Sequence, residues 1–342
     1  MHFMKFKLCI GIVTNLLAIE QAFAADFYAG KTIELSVGSD AGGGYDIYAR
    51  TLARHMGRYI PGHPTIIVKN MPGAGSGRAA NYIATIAPKD GTAFAAIMPG
   101  AIMDPLLSDR GGALFDPTKV LYVGTASNDS RVCLTMKPSA VKTFDDALVH
   151  PVTIGAISTN DSTRDYAFMH KRMSAAKFDV VSGYKGTVEI GLALERGEVE
   201  GVCGWGWSSI KSQKPGWISD GKINVLVQVG LEPNTELTAM NVPPVWKYLK
   251  NDEDRQAVEL IASQQVMIRS YIAPPQTRPE QIGILRAAFD ATMKDRQFLE
   301  DAETQRLVVE PMPGAKVQEL VRKLYATPAN IVERARLAIS PP

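Results

Sequence analysis

The sequence predicts an α/β protein of two lobes, each a mostly parallel sheet flanked by helices, joined by two crossing strands. Three observations carry that expectation. The chain opens on strand-like and helix-like segments in the order βαβαβ, the pattern of a parallel sheet with helices on its faces. Two long extended stretches, near residues 120 to 136 and 222 to 231, bracket a middle block with β and α elements of its own. From Asp252 onward the pattern is mostly helical, apart from a short strand-like stretch near "MIRSYIAPP". The first lobe is expected over residues 25–128, the second as an insertion over 129–224, and the first again over 225–342.

Each element has a local reason. "KTIELSVGS" alternates and is β-branched enough for a strand over Ile33 to Val37. From Tyr45 the apolar spacing turns helical, with Ile47, Leu52, Ala53 and Met56 on one face. "PTIIVKN" reads as a strand, "GRAANYIATIA" as a helix and "GTAFAAIMPG" as a third strand. In the middle block "VTIGAIS" is a strand that opens on a polar turn, followed by the helical "TRDYAFMHKRMSAA" and the strand "FDVVSGY". "TVEIGLALERGEVEGVCGWGW" reads as a helix ended near Gly197 and then a strand, and "KINVLVQVGL" as another long strand. No internal repeat and no low-complexity segment is visible.

The first residues suggest export. Lys5 and Lys7 precede an apolar run from Leu8 to Leu17, and "AFA" at Ala22 to Ala24 closes it. That is the order of a secretory signal, with residues 1–24 removed on processing. The run falls short of the ~20 apolar residues that span a bilayer. Cys9 stands at its start, not after it, so a lipid-anchored form is not indicated. The periplasm is the expected location. With 37 basic and 35 acidic residues the formal net charge is only +2, and no basic stripe points to nucleic acid. Cys133 and Cys203 are the two cysteines left after processing. An even pair in an oxidising compartment is consistent with a disulfide, or else with two buried free thiols.

Enzyme motifs are poorly represented. "GAGSGR" has Arg78 where G-x-G-x-x-G requires a glycine. "GWISDGKI", Gly216 to Ile223, imitates a phosphate loop but carries Ile223 in place of the magnesium-binding Ser or Thr. No G-x-S-x-G, H-E-x-x-H or C-x-x-C occurs, and no cofactor or metal is expected. What remains is a set of Gly- and Ser-rich loops, each between a strand and a helix: "SDAGGGYD", "NMPGAGSG" and "ISTNDSTRDY". Helix N-termini present free amides and a partial positive charge, which suit an anion, and glycine lets the main chain approach a ligand. The plainer reading is of ordinary turns capped by Ser39, Asp46 or Asp161. Convergence of three such loops on one cleft between the lobes favours binding.

"FYAGKTIELSVGSDAGGGYDIYARTLARHM" resembles the start of the tripartite tricarboxylate transporter receptors, the Bug family, in which a strand leads into a P-x-x-P-G-G-x-x-D-x-x-A-R turn and helix. Gly42, Gly43, Asp46, Ala49 and Arg50 stand in that pattern. "IIVKNMPGAGSGRAANYIATIAPKDGTAF" is similar to the family's V-x-N-x-P-G-A-G-G stretch through Asn70, Pro72, Gly73, Ala74 and Gly75, and to its A-P-D-G-T through Pro88, Asp90, Gly91 and Thr92, with Lys89 extra. "GYKGTVEIGLALERGEVEG" and "GKINVLVQVGLEPNTEL" resemble later family segments, so the likeness runs from Phe27 to about Ala335.

The resemblance implies a type II-like periplasmic solute-binding protein, monomeric, that captures a small carboxylate partly through water and delivers it to membrane transporter subunits. It places Ala41, Gly42, Gly43, Gly73, Ala74 and Gly75 at the ligand from the first lobe, and Ser158, Thr159, Ser162 and Tyr184 from the second. Asp46 is expected either to orient the loop or to meet a ligand hydroxyl or amino group. A sensor for a signalling partner shares this fold, and a hydrolase or isomerase using Asp46 or a histidine is the enzyme alternative. The family's two prolines before the glycines are missing here, and Asp40 adds an acid beside the expected anion site. In "CGWGWSS" alternation puts Trp205 and Trp207 on one face, either in the core or lining the cleft, with Trp205 the candidate ligand contact. A two-lobe receptor would also run the segments carrying Cys133 and Cys203 side by side, close enough for a disulfide between them.

Overall fold

The computed structural model describes residues 27–107, 115–157, 161–184 and 186–341. The expected signal segment lies outside them. They divide into two compact units, the first within Met1–Ala101, Ala113–Ser127 and Arg269–Val321, the second within Ile102–Gly112, Asn128–Ile268 and Arg322–Pro342.

The first unit opens with β1 (Thr32–Val37), α1 (Gly44–Met56), β2 (Thr65–Asn70), α2 (Gly77–Thr85), β3 (Ala93–Ile97), α3 (Pro99–Leu107, which runs on into the second unit) and β4 (Leu121–Thr125). The second contains β5 (Arg131–Met136), α4 (Phe144–Val149), β6 (Val152–Ala156), α5 (Ser162–Met173), β7 (Phe178–Ser182), α6 (Thr187–Arg196), β8 (Gly201–Gly206), α7 (Trp207–Gln213), α8 (Pro215–Ser219), β9 (Ile223–Val229), α9 (Thr235–Ala239) and α10 (Asp252–Ala262). The chain then supplies β10 (Ser270–Ala273), α11 (Pro279–Thr292), α12 (Arg296–Thr304) and β11 (Met312–Pro313) to the first unit, α13 (Gly314–Tyr325), and finally α14 (Ala329–Ile339) to the second.

The sheets are mixed, not mostly parallel. In the first the order is β11-β4-β10-β3-β1-β2, with β1 parallel to β2 and β3, and β10 antiparallel to both β3 and β4. In the second it is β7-β6-β8-β5-β9, with β6 parallel to β7 and β8, and β5 antiparallel to both β8 and β9. A helical crossover forces its two strands to run parallel, and it does so for β1-β2-β3 and β6-β7-β8. No crossover constrains β10 or β5 relative to its neighbours, since each pairs with segments far away in sequence.

The division of the chain also departs from the expected one. Residues 120 to 136 do form a strand in each sheet, β4 and then β5. The stretch at 222 to 231 does not cross: β9 pairs with β5 along its whole length, and the chain re-enters the first unit only at Arg269. Nor does the C-terminus stay there. Helix α14 buries Ile331, Val332, Ala335 and Ala338 and packs on α10 and α5, with an Arg334–Asp254 ion pair of 2.7 Å.

Burial explains why the strands read as apolar runs. All five residues of β3 are buried, and in β1 so are Ile33, Leu35 and Val37. Ile33, Leu35 and Val37, with Phe94 and Ala96 of β3, pack with Ala49, Leu52 and Met56 of α1 and with Leu285 and Phe289 of α11. Each fully buried Leu or Ile contributes roughly 1.5–3 kcal/mol relative to exposure. The second core gathers Val132, Leu134, Ile190, Leu194, Val202 and three tryptophans.

Candidate functional site

In the first unit the two candidate loops leave the carboxyl ends of adjacent parallel strands. The Gly38 amide donates to Ala96 O at 2.9 Å, and the Met71 amide to Val37 O at 2.7 Å, so both loops start level with one another. Ser76 ties them from beneath. Its buried hydroxyl donates to Gly38 O at 2.8 Å and accepts from the Met98 amide at 3.1 Å. Gly38 has to lack a side chain here, because a Cβ would stand 2.3 Å from Ser76 Oγ.

The second loop is strained. Four consecutive residues have positive φ: Gly73 at 131°, Ala74 at 48°, Gly75 at 57° and Ser76 at 75°. Glycine accepts that conformation, whereas Ala74 and Ser76 each cost about 1–2 kcal/mol. Such strain persists only where surrounding contacts over-determine it, and it concentrates at ligand-binding segments. Gly73, Ala74 and Gly75 are exposed above the buried Ser76.

Asp46 organises the first loop. It lies in the first turn of α1 and is 3% exposed. Oδ2 accepts from the Gly42 amide at 2.8 Å and from Arg50 Nε at 2.9 Å, while Oδ1 accepts from Asn70 Nδ2 at 2.9 Å. Asn70 also donates to Ser39 O at 3.1 Å and accepts from Arg50 Nη2 at 3.0 Å, which joins the ends of β1 and β2. Desolvation pushes the Asp46 carboxyl up, but the Arg50, Gly42 and Asn70 bonds outweigh it and hold the group below the usual range. Of the two roles expected for Asp46, the geometry shows the loop-orienting one. Asp40 is exposed.

Ala41 and Gly42 are exposed and Gly43 partly so. The residue that needs glycine is Gly42, at φ 80°; Gly43 is extended at φ −75° and serves as N-cap of α1 without a capping side chain. Neither Ser39 nor Asp46 is the cap. Arg269, on the segment entering β10, was not singled out in the sequence because its spacing to α1 carries no local signal. Its guanidinium lies over the rings of Tyr45 and Tyr48, beside Gly44.

The second unit repeats the arrangement at the carboxyl ends of β6 and β7. Asp161 is the N-cap of α5, as expected, accepting from the Thr163 amide at 2.8 Å. Thr163 Oγ1 in turn accepts from the Ile157 amide at 2.9 Å, so the helix start is bound to the end of β6. The amides of Gly183 and Tyr184 both donate to Ala156 O, at 3.2 and 3.3 Å, which brings the partly buried Tyr184 to the same end of the sheet. Ser162 donates to Gly204 O at 2.9 Å. Gly204 has φ 66°, and a Cβ there would meet Ser162 O at 2.0 Å. Ser158 and Thr159 lie outside the described residues.

A disulfide links Cys133 and Cys203 across β5 and β8, with Cα atoms 3.9 Å apart. It occupies the point where the ladder shifts register, so β8 bulges at the residue before Ser162's partner Gly204. Trp205 is a core residue: it is 2% exposed and packs edge-on against Trp217 at 5.7 Å. The strand alternation proposed for Trp207 stops short of it, since β8 ends at Gly206 and Trp207 begins α7, its indole donating to Glu236 at 2.9 Å. Core packing thus removes Trp205 from the candidate ligand contacts.

No protein-family model and no curated protein matches the sequence. Solved structures do match. A TctC solute-binding protein from Polaromonas, without ligand, is similar with a TM-score of 0.70 at 17% identity, covering 90% of this chain and 99% of its own. MatC from Rhodopseudomonas palustris with bound malate has a TM-score of 0.57 at 17% identity, covering 91% and 99%. A protein of R. palustris with adipate has 0.61 at 18% identity, covering 92% and 99%. Among the described residues no helix is long and apolar enough to cross a membrane. With its two mixed sheets and the order of their strands, the chain has the fold of the TctC-type solute-binding proteins.

Proposed function

We propose that this protein is an exported receptor that binds a small carboxylate and delivers it to the membrane subunits of a tripartite tricarboxylate-type transporter. One observation carries the reading furthest. The loops after β1 and β2 are exposed and glycine-rich, the second of them strained, and they are held from below by Asp46, Asn70 and Ser76. A surface of main-chain donors at a helix N-terminus suits an anion. It lies at the carboxyl ends of parallel strands in the order β2-β1-β3, where open α/β sheets bind ligands.

Ligand contact by Ala41, Gly42, Gly43, Gly73, Ala74 and Gly75 in the first unit belongs to this proposal, as does contact by Ser158, Thr159, Ser162 and Tyr184 in the second. So do action as a monomer, residence in the periplasm and loss of residues 1–24. Malate and adipate, present in two proteins of the same fold, indicate the size of acid to try first. Main-chain donors held by structural side chains favour capture over turnover.

A thermal-shift screen of mono-, di- and tricarboxylates tests the reading. An acid at a hundredfold excess over its Kd should stabilise the protein by about 2.7 kcal/mol. A panel that shifts no melting temperature would overturn the assignment. Gly42→Val then locates the site. A β-branched residue is a severe outlier at positive φ, and nothing stands within 4 Å of the added Cβ, so the variant distorts the turn without crowding the core. Loss of binding is expected; full affinity would move the site elsewhere.

A further inference from the structure

Strand β2 ends the strand order of the first sheet, and among the described residues it pairs with β1 on one side only. The Met71 amide donates to Val37 O. Alternation therefore turns the amides of Ile67 and Lys69 toward β1 as well, and those of Ile66, Val68 and Asn70 outward. The outward amides and carbonyls of an edge strand are a template for another strand, and edges are commonly blunted by charge or proline. Here Pro64 and Lys69 stand at the ends of β2, while Ile67 in its middle is 46% exposed.

An open groove of about 580 Å³ runs beside this edge, between β2 and α1 with the turn that follows it. Arg50, Arg54 and Arg58, spaced four residues apart, line it together with His63, Ile66 and Val68. No carboxylate lines it among the described residues. Each arginine has an acid partner: Asp46 for Arg50, Asp301 for Arg54 and Asp295 for Arg58. The acids lie behind, since the three arginine side chains are 45%, 50% and 44% exposed and the three carboxylates 4%, 28% and 13%. The groove thus presents its cations to solvent and hides their counter-charges. The other face of β2 differs: Ile67 and Lys69 share it with Glu34 and Tyr82, and Glu34 already pairs with Lys69 at 2.5 Å.

We propose that the β2 edge and its arginine groove dock an extended acidic segment of a partner protein, which adds a strand to the first sheet. Side chains of an added strand alternate between the two faces, so one set of carboxylates meets Arg50, Arg54 and Arg58 while the intervening residues meet Ile67. Main-chain hydrogen bonds supply affinity in this mode, and alternate side chains supply specificity. The guanidinium fork matches a carboxylate in geometry as well as charge. The site stands apart from the question of what the glycine loops bind, although Arg50 belongs both to the groove and to the hub that holds Asp46.

The probe is an end-capped peptide of about eight residues that alternates glutamate with valine, titrated into the full chain while amide exchange is followed by NMR. The amides of Ile66 and Val68 should become protected, and a peptide with lysine in place of glutamate should not bind. An exposed ion pair is worth up to about fivefold in affinity, so Arg54→Gln/Arg58→Gln should weaken binding roughly 5- to 25-fold, and added salt should weaken it as well. Those arginines also brace α12 through Asp301 and Asp295, so a second test leaves the protein unchanged. N-methylation of every other peptide amide should abolish binding in one phase and spare it in the other. No binding, equal binding of the glutamate and lysine peptides, or binding without protection of Ile66 and Val68 would each overturn the proposal. So would citrate that displaces the peptide and protects the same amides, which would make the groove a small-anion site, or dimerisation of the protein through this edge, which would make the occupant a second copy.

Discussion

In the first unit β2, β1 and β3 lie side by side and parallel, followed by the antiparallel β10 and then β4; in the second, β7, β6 and β8 are followed by the antiparallel β5 and then β9. The two sheets thus share a five-strand order, although one takes its antiparallel strand from late in the chain and the other from early. They differ in how the loops at the carboxyl ends are secured. The first unit uses a polar hub in which one buried carboxylate serves a backbone amide, a guanidinium and a side-chain amide. The second uses a helix cap, a hydroxyl tie from Thr163 and a strand bulge beside a disulfide. A fold repeated in one molecule therefore prescribes where loops stand but not what chemistry holds them.

Breaking the covalent device should have the largest effect. The disulfide closes a separation of 70 residues, and its loss from the Cys133→Ser/Cys203→Ser pair should cost about 2–5 kcal/mol. Because Gly204 adjoins Cys203 and abuts Ser162, amide exchange should rise at the start of α5 as well as along β5 and β8. Exchange that rises equally in both units would contradict a device confined to one of them.

The polar hub should come next. Asp46→Ala strips three hydrogen bonds from the turn and leaves Arg50, itself largely exposed, without its ion pair. The expected loss is about 2 kcal/mol. It should be accompanied by a fall in carboxylate affinity, whereas the disulfide variant should keep more of its affinity than of its stability. Thermal melts and calorimetry on both variants measure the contrast; a hub variant with wild-type affinity would show that the turn holds itself.

A smaller difference lies in pH dependence, since α5 in the second unit carries an aspartate and a histidine whose titration desolvation shifts. Desolvation raises the Asp165 carboxyl from 3.8 to about 7, against the pull of Arg164 at 3.5 Å. Between those values the folded form holds a proton that the unfolded form has lost, so this group's contribution falls as pH rises. His170, packed against Phe144 and Phe178, is lowered by desolvation from 6.5 to about 3. There the unfolded form binds the extra proton, and stability falls as pH drops through that window. The slopes oppose one another between about pH 4 and 6.5, each limited to about 1.4 kcal/mol per pH unit. Asp165→Asn should expose the histidine's loss on acidification, and His170→Leu should expose the aspartate's loss on the way up. Denaturant melts from pH 4 to 8 that tilt the same way in both variants would refute the assignment.

Much of this was legible in the sequence. Period-two alternation located β1, helical spacing located α1, and Gly197 ended α6 where expected, in a left-handed cap. These are properties of single elements: a strand has two faces and a helix one apolar stripe whatever it packs against. The glycine loops, Asp46 within its motif and the pairing of Cys133 with Cys203 were legible too, because the residue types themselves limit what can be built from them.

Only the tertiary structure decided which segments became neighbours. It kept β9 beside β5, sent α14 to the second unit and inserted one antiparallel strand into each sheet. It put Trp205 in the core, turned Asp46 toward Gly42 and Asn70, and laid Arg269 over Tyr45 and Tyr48 from more than two hundred positions away. Local sequence sets the faces and turns of each element. Which face meets which partner depends on burial and hydrogen bonding summed over the whole unit, and no stretch of the chain encodes that sum alone.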